Sequence, residues 1–89
     1  MTVEVRKPTK ADIDRVKAEK WGIWEKEVSE FPYEYDERET CLIIEGEVAV
    51  TCFDGESVKF GPGDWVVFPQ GLECTWKITK PVRKYYRFG

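Results

Sequence analysis

The chain has 89 residues, enough for one small domain; at this length only about two-thirds of the surface of the unfolded chain is buried on folding. It carries a net charge of −3, with 35% charged and 15% aromatic residues, three Cys and no His. Cys41, Cys52 and Cys74 are odd in number and sit inside apolar runs, which excludes a disulfide framework and points to reduced thiols in a cytoplasmic setting. Apolar runs far too short for a spanning helix exclude a membrane partner, and no apolar leader segment precedes the charged N-terminus. The one basic and aromatic stretch, Arg83-Lys84-Tyr85-Tyr86-Arg87-Phe88, is short within an acidic chain. It therefore reads as an alternating strand and not as a nucleic-acid surface.

Taken in order, residues 2–6 alternate weakly and suit an edge strand. Thr9, followed three residues later by Asp12, is a capping-box arrangement that starts a short helix whose Ile13 and Val16 face the domain. From Trp21 the texture turns to strands. Phe31, Tyr33 and Tyr35 alternate with polar residues or proline, the period-two signature of a strand. Thr40 to Ile44 is a dense apolar strand that Gly46 is expected to break, with Val48 to Phe53 resuming. Asp54-Gly55 predicts a two-residue type I′ hairpin, returning over residues 57–60. Gly61-Pro62-Gly63-Asp64 is a turn. Trp65 to Phe68 is a continuous apolar strand, buried on both faces. Pro69-Gln70-Gly71 turns again, and Cys74, Trp76 and Ile78 then share one face. Pro81 is expected to end that strand before 82–88 closes the sheet. Many short strands at such spacing predict an all-β sandwich or barrel.

Two segments carry a resemblance. Glu39-Thr40-Cys41-Leu42-Ile43-Ile44-Glu45-Gly46 and Gly63-Asp64-Trp65-Val66-Val67-Phe68-Pro69-Gln70-Gly71-Leu72-Glu73-Cys74 resemble the two signature motifs of the cupin superfamily. Glu39 and Gly46 match the acidic residue and closing glycine of the first. Gly63, Pro69 and Gly71 match the second. Where the family places metal-binding histidines, this chain has Tyr33, Tyr35 and Cys74, and Ile78 replaces an asparagine. With residues 21–28 the pattern is similar to the small single-domain cupin-3 group, related to ureidoglycine aminohydrolase and ethanolamine-utilisation cupins. The resemblance implies a single-domain cupin jelly-roll β-barrel over residues 21–89. Residues 1–20 would form a strand and short N-terminal helix extension. It also implies a homodimer, with Trp21 and Trp24 as its contacts. The matched glycines suit turns that need positive φ, so they are structural and not catalytic.

In such a barrel Tyr33 and Tyr35 share an inward face, as do Glu39, Cys41 and Ile43, and Cys74, Trp76 and Ile78. Desolvation favours the neutral form of a buried carboxyl, which suits Glu39 to acid or base work. Cys74 is a candidate nucleophile if a cation lowers its pKa, and equally a small core residue. Tyr33, Tyr35, Cys41 and Trp76 are the expected ligand contacts, with plain packing as the alternative for each. Two carboxylate or thiol donors and two phenols make a poor metal set, so no metal and no cofactor are expected. The leading expectation is a small-molecule-binding cupin, an enzyme on a small polar or nitrogenous metabolite among its forms. A metal-dependent enzyme using Glu39 and Cys74 and a non-catalytic domain with a filled interior remain as alternatives.

Overall fold

The computed structural model describes residues 2–89. Its elements in chain order are β1 (Glu4–Arg6), α1 (Lys10–Val16), a 3-10 turn (Ala18–Lys20), β2 (Gly22–Lys26), β3 (Ser29–Glu34), β4 (Glu39–Cys52), β5 (Ser57–Phe60), β6 (Trp65–Phe68) and β7 (Glu73–Phe88). Thr9 and Asp12 form the expected capping box at the start of α1: the Thr9 hydroxyl accepts from the Asp12 amide, and the Asp12 carboxylate accepts from the Thr9 amide. No described helix is long and apolar enough to cross a membrane.

The seven strands form one antiparallel sheet in the order β1-β6-β4-β7-β2, with β5 added to β4 and β3 added to β7. β4 and β7 run side by side from Glu39↔Phe88 to Cys52↔Cys74, with register shifts between Ile43 and Val48. These shifts divide the sheet into two wings. In one wing the first half of β4 and the second half of β7 are flanked by β6 and β2. In the other, the second half of β4 and the first half of β7 are flanked by β5 and β3. Residues of both wings meet in a single apolar core that includes Ile43, Val50, Val66, Phe68, Trp76 and Ile78. The jelly-roll expectation is met in this bent, all-β architecture.

Three local expectations are corrected. Gly46 does not break β4, and Pro81 does not end β7; both strands pass through these residues. The reason lies in the register shift. Gly46 adopts φ +102, and a Cβ there would lie 2.6 Å from Val82 Cα and collide with the Pro81 carbonyl oxygen. Pro81 falls in the same irregular stretch, one of the few places within a sheet where a residue without an N–H is tolerated. The hairpin after Cys52 is not type I′ either. Gly55 has positive φ but Asp54 does not. The Gly55 amide donates to the Cys52 carbonyl at 2.9 Å, and the Cys52 amide donates to the Glu56 carbonyl at 2.7 Å, giving a three-residue loop.

The two early tryptophans are engaged within the chain. The Trp21 ring meets Trp65 edge-on at 5.6 Å, and Trp24 meets Trp76 at 5.8 Å. Ala18, on the 3-10 turn, is fully buried, so the N-terminal segment packs onto the domain. β6 is buried on both faces, as its unbroken apolar sequence requires.

Candidate functional site

Strand alternation brings a row of side chains from β4 and a row from β7 onto the inner face of the first wing. Glu39, Cys41 and Ile43 come from β4, and Val82, Lys84 and Tyr86 from β7. Lys84 lies opposite Ile43 on β4 and opposite Trp24 on β2. Its stem crosses toward the start of β4. There the ammonium donates to both Glu39 oxygens, at 3.2 and 3.1 Å, and to the Cys41 sulfur at 3.4 Å. The Glu39 and Lys84 side chains are only 6% and 5% exposed, so this is a buried ion pair. The ammonium also lies 4.8 Å from the ring centres of both Trp24 and Trp76, a doubled cation–π contact in a desolvated setting.

Above this pair opens a cavity of about 190 Å³, walled by Trp24, Phe31, Tyr33, Tyr35, Trp76, Tyr86 and Phe88, with Glu39 and Lys84 as its charged lining. Each wall residue has a local cause. Phe31 and Tyr33 alternate along β3, opposite Trp76 and Cys74. Tyr35 lies just past β3 and is clamped by the Pro69–Gly71 turn. Its amide donates to the Leu72 carbonyl at 2.9 Å, and the Gly71 amide donates to its carbonyl at 2.7 Å. Gly71 takes φ +86 in that turn, a conformation that costs glycine little. The Tyr35 ring then stacks on Phe68 at 4.7 Å. Its hydroxyl accepts from the Trp76 indole N–H at 3.1 Å. Among the described residues no side-chain or backbone acceptor is bonded to the Tyr35 hydroxyl, whose one partner there is the Trp76 indole. Burial, followed by the nearby Glu39 carboxylate, raises the Tyr35 pKa, so the phenol is protonated at neutral pH. Tyr86 is seated by Gly22, where a Cβ would come within 2.7 Å of its ring.

The expected set is therefore largely brought together. Glu39, Tyr33, Tyr35 and Trp76 line one cavity, and Cys41 touches the ammonium at its floor. Cys74 does not line it. Its thiol leans on the Tyr33 carbonyl at 3.6 Å, toward the Cys52 end of the sheet, and burial pushes it up to about 11. Burial likewise raises Cys41. Both sulfurs are thiols at neutral pH, and neither has the activated environment of a nucleophile. Glu39 was expected as a desolvated carboxyl in an apolar interior. Its bonds come instead from a lysine.

Lys84 is the residue sequence reasoning missed. The signal was present: Val82, Lys84, Tyr86 and Phe88 alternate after Pro81, which puts Lys84 on the face of a buried valine. A lysine on an apolar face is ordinarily read as snorkelling outward, and the alternation of the closing strand was read without a site role for Lys84.

The cupin resemblance raises the question of a metal. Among the described residues no three His, Cys, Asp or Glu side chains converge. Among the described residues, Glu39 and Cys41 are such donors beside the cavity, and the Lys84 ammonium contacts both. The residues present do not fit a metal ion.

Comparison with known proteins gives a consistent picture. The family model described as EutQ-like cupin domain matches residues 14–86. Among solved structures, a DUF861 family protein from Thermotoga maritima is 50% identical, with 99% of this chain and 100% of that one covered at a TM-score of 0.98. A DUF861 family protein of unknown function from Pseudomonas syringae pv. tomato is 26% identical at TM-score 0.70, with 100% of this chain and 32% of that one covered. A putative ethanolamine utilization protein Q from Salmonella typhimurium is 25% identical at TM-score 0.68, covering 75% of this chain and 54% of that one. This chain thus spans about half of the Salmonella protein and a third of the Pseudomonas one. Comparison with curated proteins finds no match.

Proposed function

The chain belongs to the EutQ-like cupin domain family, and from that premise we propose that it binds a small molecule in the aromatic cavity over the Glu39–Lys84 pair. The observation that carries this reading is the pair itself. A buried ion pair is weak support for a fold, because well-packed apolar residues in its place are often neutral or stabilising. Here it stands at the floor of a cavity of about 190 Å³ and not in a filled core. A dry apolar cavity of roughly 150 Å³ accepts a benzene-sized molecule, so this one suits a single ring or a compact polar metabolite.

The wall chemistry narrows the ligand. Trp24, Phe31, Trp76 and Tyr86 offer flat apolar faces, and Tyr35 offers one hydroxyl proton. The Glu39 and Lys84 charges cancel, so no net charge is demanded of the ligand. A planar, uncharged molecule with an acceptor directed at Tyr35 satisfies all three. If the protein catalyses a reaction, the groups placed for it are a carboxylate and an ammonium, the components of proton transfer, and not an activated thiol.

The test is a thermal-shift screen of untagged, reduced protein against single-ring and nitrogenous metabolites. A ligand at a hundred times its dissociation constant stabilises the protein by about 2.7 kcal/mol. We expect a stabilising compound that also perturbs tryptophan fluorescence and loses affinity in Tyr35→Phe. If no compound stabilises the wild type, and if filling the cavity by substitution alters nothing but stability, the domain is a structural one.

A further inference from the structure

We infer that Lys84 is a cation built into the chain at the position a divalent metal would otherwise occupy, so that this site is closed to metals by its own lysine. The inference does not depend on whether the cavity binds a small molecule.

Three observations converge. The Lys84 ammonium contacts both Glu39 oxygens and the Cys41 sulfur at 3.1 to 3.4 Å. A hard anionic oxygen pair and a thiol are themselves a fair partial metal set, and a catalytic zinc site needs only three protein donors. Here the third direction is supplied by the positive charge and not by another donor. Second, the ammonium is flanked by Trp24 and Trp76 and held by Glu39 and Cys41. All three of its protons have acceptors. A divalent ion would have to displace a cation that is covalently tethered and already satisfied. Third, no further His, Cys, Asp or Glu among the described residues joins Glu39 and Cys41, so an incoming metal would find two ligands and a repelling charge.

The consequence is specific. Replacing the cation by a neutral donor of suitable reach should convert the site into a metal site, with the Glu39 and Cys41 side chains drawing in from their 3.1 to 3.4 Å contacts to bonding distance. Lys84→His provides that donor, leaving Glu39, Cys41 and an imidazole around one point, with a remaining position open to water. Binding would deprotonate Cys41, so uptake should release a proton and strengthen as pH rises.

The experiment uses untagged, reduced wild type, Lys84→His and Lys84→Met, each checked for folding by circular dichroism and equilibrated with Zn(II), or with Co(II) as a spectroscopic probe. Lys84→Met removes the charge and supplies only a thioether, a poor donor for Zn(II) or Co(II). We expect the wild type to remain metal-free. Lys84→His should take up stoichiometric metal, with a Co(II)–thiolate absorbance band that disappears when Cys41→Ser is added. Lys84→Met should take up far less. Stoichiometric metal in wild type that is lost on Glu39→Gln would overturn the inference, because metal would then bind with the lysine in place. A folded Lys84→His that takes up none would overturn it equally, since Lys84 would not be holding a metal position. If Lys84→His does not fold, Lys84→Asn and Lys84→Gln in the same assay decide the matter, and metal uptake no greater than in wild type counts against it.

Discussion

The two wings of the sheet are built from the same pair of strands and yet differ in chemistry. In the wing flanked by β5 and β3, the facing positions of β4 and β7 are Val48↔Ile78, Val50↔Trp76 and Cys52↔Cys74, all buried and uncharged. In the wing flanked by β6 and β2, the same strands carry Glu39, Cys41 and Lys84 under an open cavity. The wing flanked by β5 and β3 shows what this fold needs: hydrophobic burial and complementary packing. The wing flanked by β6 and β2 carries a charge pair that such a fold does not require. A charge pair where burial alone suffices is the contrast on which the proposed binding site rests.

The sharpest way to break that comparison is to remove one partner of the pair. Lys84→Ala leaves Glu39 buried without its countercharge, and we expect it to cost about 3–5 kcal/mol in urea unfolding. The double substitution Glu39→Leu with Lys84→Met should recover most of this or exceed wild-type stability, while losing any ligand affinity. If Lys84→Ala unfolds like wild type, the pair is not buried as described and the contrast between the wings disappears.

The bend that separates the wings is the next target. Gly46→Ala forces a Cβ at φ +102 into the backbone of Val82 and Pro81. Backbone strain of this kind costs about 1–3 kcal/mol, and the collision places the expected loss at the upper end. Ala at Gly55, which has positive φ but open space around it, should cost less. Equal losses at the two sites in chemical denaturation would show that the bend is not a tight backbone crossing.

The smallest effect sharpens the apolar wing. Burial lifts the Cys74 thiol from 9.0 to about 11. A raised pKa in the folded state means that the folded protein holds this proton more tightly than the unfolded chain does. The associated stability is thus complete below pH 9 and is lost as pH climbs toward about 11. Cys41 and Tyr35 are shifted in the same direction by burial and steepen the loss. Unfolding free energies measured from neutral to alkaline pH should fall in that window, and Cys74→Ala should flatten the slope. An unchanged slope would place Cys74 in contact with solvent.

Much of this arrangement was legible in the residues. The alternation of Phe31, Tyr33 and Tyr35, the apolar run Trp65 to Phe68 and the capping pair Thr9 and Asp12 each express local physics, and each appears where expected. The inward faces of Glu39-Cys41-Ile43 and Cys74-Trp76-Ile78 follow from a period of two once the strands are placed. What misled were the breakers. Gly46 and Pro81 are strong local stop signals, and read singly each ends a strand. They lie together across the β4–β7 pair, however, where a register shift uses the freedom of one and tolerates the missing donor of the other.

The cupin resemblance implied that Glu39 and Tyr35 lie near one another; by itself, the sequence determined the all-β class, most of the strands and their inward faces. These depend on periodicity and on turn chemistry, which act over a few residues. Tertiary structure alone decided that Lys84 turns inward to Glu39, 45 positions away, and that Cys74 is left outside the cavity. Those outcomes depend on the register between β4 and β7. Whether a lysine is solvated or buried is settled by the charge waiting opposite it, and no local pattern carries that information.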